Sequence, residues 1–130
     1  MRGQSSVEFL VYISIAILIF TYVMWSTSSL QDQLNSIKTN VEAERLCNKI
    51  AFEVNSAVRS GDGYGRKFYV EKNIFGISDF QISVGNYSVF IDWNKGSVSS
   101  SVIIKNINGV VGTGFNNIEN INGEIYVTQS

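Results

Sequence analysis

The chain contains no histidine, no proline and a single cysteine, Cys47, in 130 residues. Without histidine, and with one thiol, neither a zinc site nor a Cys-His pair can be assembled, and no intrachain disulfide can close. Most metal and nucleophile chemistry goes with them, so we expect no enzyme activity and no cofactor. Lacking proline, the chain must stop helices and turn strands with glycine and asparagine. The formal net charge is −1 and no run of like charges occurs. That leaves no basic face for nucleic acid, which is set aside as a partner. The last absence is local: from Phe9 to Gln31 there is no charged residue, whereas Asp32 to Ser130 carries nearly every charge.

Those 23 uncharged residues, opening FLVYISIAILIFTYVMW, make roughly 34 Å of helix at about 1.5 Å per residue, enough to span a bilayer. Apolar side chains run all the way round, whereas a soluble helix would show a stripe. Tyr22 and Trp25 suit an interfacial aromatic belt. No small-residue cleavage site follows the run, as a secretory signal would require. Arg2 is the only charge before Glu8, so the positive-inside rule places the N-terminus in the cytoplasm and the remainder outside. Glu8 is anomalous, because inserting its carboxylate into hydrocarbon costs on the order of 2.5 kcal/mol or more. Two readings stand. Ser5 and Glu8 form a capping box at the helix start, which local sequence favours, or the carboxylate is kept for a partner.

Beyond Gln31 the pattern becomes a stripe: Leu30, Leu34, Ile37, Val41, then Ala43, Leu46, Cys47, Ile50, Ala51, Val54, Ala57 and Val58. Steps of three and four mark one helical face. Glu42, Glu44, Arg45, Asn48, Lys49, Glu53 and Arg59 take the other side. One helix from about Ser5 to Arg59 is predicted. On the stripe, Cys47 reads as a small buried side chain, with an intermolecular disulfide as the alternative in an exported protein. Residues 60–65, Ser-Gly-Asp-Gly-Tyr-Gly, read as a C-cap and turn. A phosphate loop would need a preceding strand and a Lys-Ser/Thr pair.

From Arg66 the period becomes two, predicting strands near 67–72, 79–84, 87–93, 98–105 and 124–128. Gly85-Asn86, Asn94-Lys95-Gly96 and Asn122-Gly123 supply the turns. Residues 106–117, rich in Gly and Asn, read as a solvated loop. About seventy residues of sheet make a thin core, so the helix stripe is expected to complete it. The fold class is therefore α+β: a long N-terminal helix, apolar then amphipathic, packed on a small antiparallel β-sheet head. Asn86-Tyr87-Ser88 is the only N-x-S/T sequon, which makes Asn86 a candidate glycan site if the head is exported. Asp62, Asp79 and Asp92 are spaced too irregularly for calcium or acid/base work.

The residues Arg2-Gly3-Gln4-Ser5-Ser6-Val7-Glu8-Phe9-Leu10 resemble the processing site of archaeal type IV pilins, the class III signal peptide. In that family a basic residue and glycine precede a Gln-x-Ser-x-Glu-Phe run, matched here by Gln4, Ser6, Glu8 and Phe9. The tight-adherence pseudopilins of bacteria have a similar site, but usually carry a proline after the first turns. What the resemblance implies is a prepilin leader, residues 1–3, cut by a membrane prepilin peptidase between Gly3 and Gln4. Residues 4–31 would then be the membrane and filament-core helix, 32–60 its amphipathic continuation, and 61–130 an exported head. The implied partners are copies of the chain or other pilins, the peptidase and the membrane. The implied function is a cell-surface filament subunit, used for adhesion, with Glu8 and Phe9 in assembly. The alternatives are a minor pseudopilin or a stationary single-pass anchor with an exported binding module.

Overall fold

A computed structural model describes residues 2–130; Met1, the first residue of the expected leader, lies outside the described residues. The chain is α+β. One helix, α1, runs Arg2–Ser60, and two compact units divide at Ile37 and Lys38.

In the second unit, Lys38–Ser130, α1 packs against two small sheets. Seven strands follow the helix: β1 Gly65–Val70, β2 Phe80–Gly85, β3 Ser88–Trp93, β4 Gly96–Ser101, β5 Asn108–Gly109, β6 Gly114–Ile121 and β7 Glu124–Gln129. They form a four-stranded sheet in the order β1-β6-β7-β5 and a three-stranded meander β2-β3-β4. All pairs are antiparallel except the two-residue β5, which runs parallel to β7. The expected single sheet is thus two. The difference lies at residues 106–117, expected as a loop, which contain β5 and the start of β6, the strand that links β1 to β7.

Both sheets turn one face to the helix, because Ala43, Leu46, Cys47, Ile50, Ala51, Val54 and Ala57 share one buried cluster with Phe68, Val70, Val89, Ile91, Ile118 and Ile125. Each such aliphatic side chain contributes about 1.5–3 kcal/mol by leaving water. The helix stops where the sequence indicated: Gly61 takes φ 80° and Gly63 φ 90°, conformations only glycine adopts without cost. Asn120 Nδ2 donates to the Ala57 carbonyl at 2.9 Å, satisfying a carbonyl of the last turn. The glycine-rich segment is therefore a helix stop, with Asp62 Oδ1 accepting from the Asn122 N–H at 2.8 Å.

Two hairpins close through turns of the type I′ class, which match the twist of the strands. Asn122 and Gly123 have φ of 55° and 85°, as expected. In the β2–β3 hairpin the central residues are Asn86 and Tyr87, with φ of 52° and 63°, one place later than the expected Gly85-Asn86. Gly85 pairs with Ser88 instead of turning.

The stripe expected as one face of α1 is two faces: from Val41 to Ala43 is a step of two residues, roughly 200° round a helix, so Val41 points away from the side on which Ala43 is buried. Burial begins at Thr39 and Ala43, while Leu30, Leu34, Ile37 and Val41 are all more than half exposed. Glu53, expected on the solvent side, is buried. Its Oε1 lies 3.7 Å from Arg66 on β1, and its Oε2 has no hydrogen-bond partner among the described residues. The strand carrying Arg66 lies over this flank of the helix, which periodicity alone did not reveal. A carboxylate desolvated against one half-exposed guanidinium gains little net stability. Glu53→Met is therefore expected to leave stability unchanged or raise it by about 1 kcal/mol, read from the urea midpoint. A loss of about 2 kcal/mol or more would mean that the carboxylate is held by more than Arg66.

Candidate functional site

Among the described residues the first unit consists of helix alone. Every large apolar side chain from Val7 to Trp25 is exposed, from 40% at Ile13 to 77% at Trp25. The helix is long and apolar enough to cross a membrane. Four of its hydroxyls are spent internally: Ser14, Thr21, Thr27 and Ser28 donate to the carbonyls of Leu10, Ile17, Val23 and Met24, four residues back, at 2.8–3.1 Å. Such back-bonding removes the demand these groups would make on an apolar surrounding.

The candidate residues Gly3, Gln4, Glu8 and Phe9 lie in the opening turns of this helix. α1 begins at Arg2, so Ser5 is already inside it and cannot be an N-cap. No acidic residue falls in the first turn, and Ser6 Oγ donates back to the Arg2 carbonyl at 3.3 Å. The capping box expected from local sequence is not formed, because the helix starts three residues earlier than that reading required. Gln4 and Glu8, four apart, share one face. Among the described residues no ion pair reaches Glu8.

Gly3 is informative in a different way. Nothing lies within 4 Å of where its Cβ would be, and its φ is not positive. Neither space nor backbone asks for glycine here, and in a helix it costs roughly 0.5–1 kcal/mol relative to alanine. The fold gives no reason for it.

Asn86 belongs to the second unit, exposed at the tip of the β2–β3 hairpin with Tyr87. The other reactive groups of the head are structural. Cys47 is buried and donates to the Val89 carbonyl at 3.2 Å. Burial pushes its thiol up to about 11, only partly opposed by a backbone hydrogen bond from Ser100. Because this folded value lies above the thiol's ordinary value of 9.0, the contribution to stability is complete below about pH 9 and is lost as pH rises through about 11. At pH 8 a maleimide is expected to label Cys47 slowly in the native chain and rapidly in urea. Rapid native labelling would contradict the burial. On β7, the hydrogen bond that Tyr126 donates to Glu124 at 2.8 Å, with the charge of that carboxylate, raises the phenol above its ordinary value.

An open groove of about 370 Å³ between α1 and the segment after β1 is lined by Glu42, Arg45, Leu46, Lys49, Glu71, Asn73 and Ile74. Lys49 is committed there, donating to the Tyr69 carbonyl at 2.7 Å and pairing with Glu71 at 3.1 Å. Among the described residues, no group of three or more His, Cys, Asp or Glu is placed to hold a metal ion. No family model, curated protein or solved structure matches the chain.

Proposed function

We propose that the chain is a structural subunit of a type IV pilus-like filament. It enters the membrane through the apolar half of α1, is cut between Gly3 and Gln4, and passes through that same half into a filament core. The observation that carries this reading is the exposure of every large apolar side chain from Val7 to Trp25, on all sides of the helix. Among the described residues these side chains are left exposed, and lipid or other copies would supply their cover. The resemblance of residues 2–10 to a prepilin site supports the change from one cover to the other. Gly3 fits the same reading, since a small residue beside the cut suits a protease cleft and the fold does not otherwise require one.

The test is where the chain resides in its native cells. Filaments sheared from the surface should contain it in quantity. A chain confined to membranes would instead be a stationary anchor carrying an exported module, and one present in traces would be a minor pseudopilin. Gly3→Leu should leave uncut precursor in the membrane, seen as a mass larger by the three leader residues. Normal cleavage of that variant would show that Gly3 does not define the site.

A further inference from the structure

The β2–β3 hairpin ends in the chain's one N-x-S/T sequence, Asn86-Tyr87-Ser88, and a turn alone does not account for those residues. Asn86 and Tyr87 are the two central residues of the turn, and both are exposed. The amide therefore stands at the tip. A type I′ turn is best served by Asn-Gly, the pair found at Asn122-Gly123, whereas Tyr87 holds a bulky side chain at φ 63°, where such residues are disfavoured. Any residue but proline is accepted in the middle place of an N-glycosylation sequence.

Other asparagines of the head are committed to the fold. Asn48 and Asn55 tie α1 to Ser100 and to the Ile103 N–H, and Asn116 and Asn120 bind backbone in the interior. Among the described residues the Asn86 side chain makes no hydrogen bond, so its Nδ2 is free. Ser88 opens β3 on the outward side, in step with the exposed Phe90 and Asp92. Across the ladder it faces Gly85 on β2 and the exposed Ser101 on β4. A glycine and a small hydroxyl leave its Oγ uncrowded. Asn94 is the contrast within the same sheet: it too is exposed in a tight turn, but Gly96 stands where the hydroxyl is needed.

We propose that Asn86 carries an N-linked oligosaccharide, added at the outer face of the membrane. The donor is an oligosaccharide joined through phosphate to a membrane lipid, handled by a membrane-bound transferase. Asn86 Nδ2 bonds to C1 of the first sugar as the C1–O bond to phosphate breaks. The lipid phosphate leaves with that electron pair, and the amide gives up one proton. This rests on the export step of the filament reading and adds to it. An anchored chain keeps its head beside the membrane that holds the donor, and a bulky hydrated group at the tip keeps the β2–β3 hairpin out of packed contacts in the filament.

The experiment is mass spectrometry of the full chain purified from its native cells. Trypsin cuts after Lys72 and Lys95, giving a peptide 73–95 that holds Asn86 together with Asn73 and Asn94. A peptide heavier by several sugar residues, with fragment ions placing them on Asn86, is the expected result. Expressed in the same cells, Ser88→Ala and Asn86→Asp should each lose the added mass, and Ser88→Thr should keep it. Aspartate also tolerates the left-handed turn, and Ser88→Ala leaves the turn residues in place, so a misfolded hairpin does not explain both losses. An unmodified peptide from chain that begins at Gln4 or is recovered in filaments would overturn the proposal and leave the filament reading standing. Sugar on the hydroxyl of Ser83 or Ser88, or sugar kept by Ser88→Ala, would overturn it as well. A head that stays inside intact cells, protected from added protease, would overturn export and glycan together.

Discussion

A fragment beginning at Ser60 should fail to unfold cooperatively and should aggregate, whereas Asp32–Ser130 should be soluble and folded. The helix supplies seven of the seventeen buried apolar side chains among the described residues: Ala43, Leu46, Cys47, Ile50, Ala51, Val54 and Ala57. Removing them bares the inner faces of both sheets, where Val70, Val89, Ile91, Ile118 and Ile125 are almost fully buried. Net stabilities of about 5–15 kcal/mol cannot absorb the loss of so much burial. Polar ties are lost as well: Asn48 with Ser100 Oγ, Asn55 with the Ile103 N–H, and the Ala57 carbonyl with Asn120. Within the longer fragment, Ile50→Ala should cost about 2–5 kcal/mol, measured by urea unfolding. A soluble, cooperatively unfolding fragment 60–130 would contradict the packing of the head on α1.

Glu8→Gln should leave membrane insertion and the folded head intact while sharply reducing assembled filament. Cleavage after Gly3 would free the α-amino group of Gln4, whose reference pKa of about 8 leaves it largely protonated at neutral pH. In a filament core lined by Phe9, Leu10, Val11 and Ile13 that cation needs an anion, and Glu8 is the acidic residue near it. Gln4 and Glu8 share a helix face, so the carboxylate can meet the amine of its own chain or, with helices staggered, that of its neighbour. Burying either ion alone costs several kcal/mol; burying them as a pair offsets much of that, and the pair sets axial register more than it adds stability. Glutamine keeps the shape and removes the charge, leaving the ammonium without a counter-ion. Filament in normal amount with unchanged subunit spacing would reduce Glu8 to an ordinary helix residue.

The helix and most of the strands were legible because their hydrophobic periods were clean. Phe80, Ile82 and Val84 alternate toward the core as expected, and so do Val89 and Ile91. β6 was not legible, because its core-facing positions are Gly114, Asn116, Ile118 and Asn120. Asn116 accepts from the Gly112 N–H and donates to the Gly112 and Gly114 carbonyls, and Asn120 caps α1 and accepts from the Gly123 N–H. Buried amides that bind backbone belong inside a fold, but in a sequence they look like loop. Glu53 was misplaced for a related reason: helical periodicity sorts residues by polarity and cannot anticipate a strand laid over a charged position. The capping box at Ser5 failed because the helix already begins at Arg2, running through Gly3, Ser5 and Ser6, whose helix propensities give no sign of so early a start. Of the candidate site, the uncharged segment and its opening motif were evident in the residues themselves. The exposure of every apolar face, and the absence of any fold requirement for Gly3, needed the structure.

The most direct test of the filament subunit reading is the intact mass and N-terminal sequence of the chain recovered from sheared surface filaments of its native cells. A chain beginning at Gln4, lacking Met1, Arg2 and Gly3 and retaining Glu8 and the whole apolar half of α1, is the expected result. A chain that keeps Met1, or one cut after Trp25 and so released from its apolar segment, would contradict it.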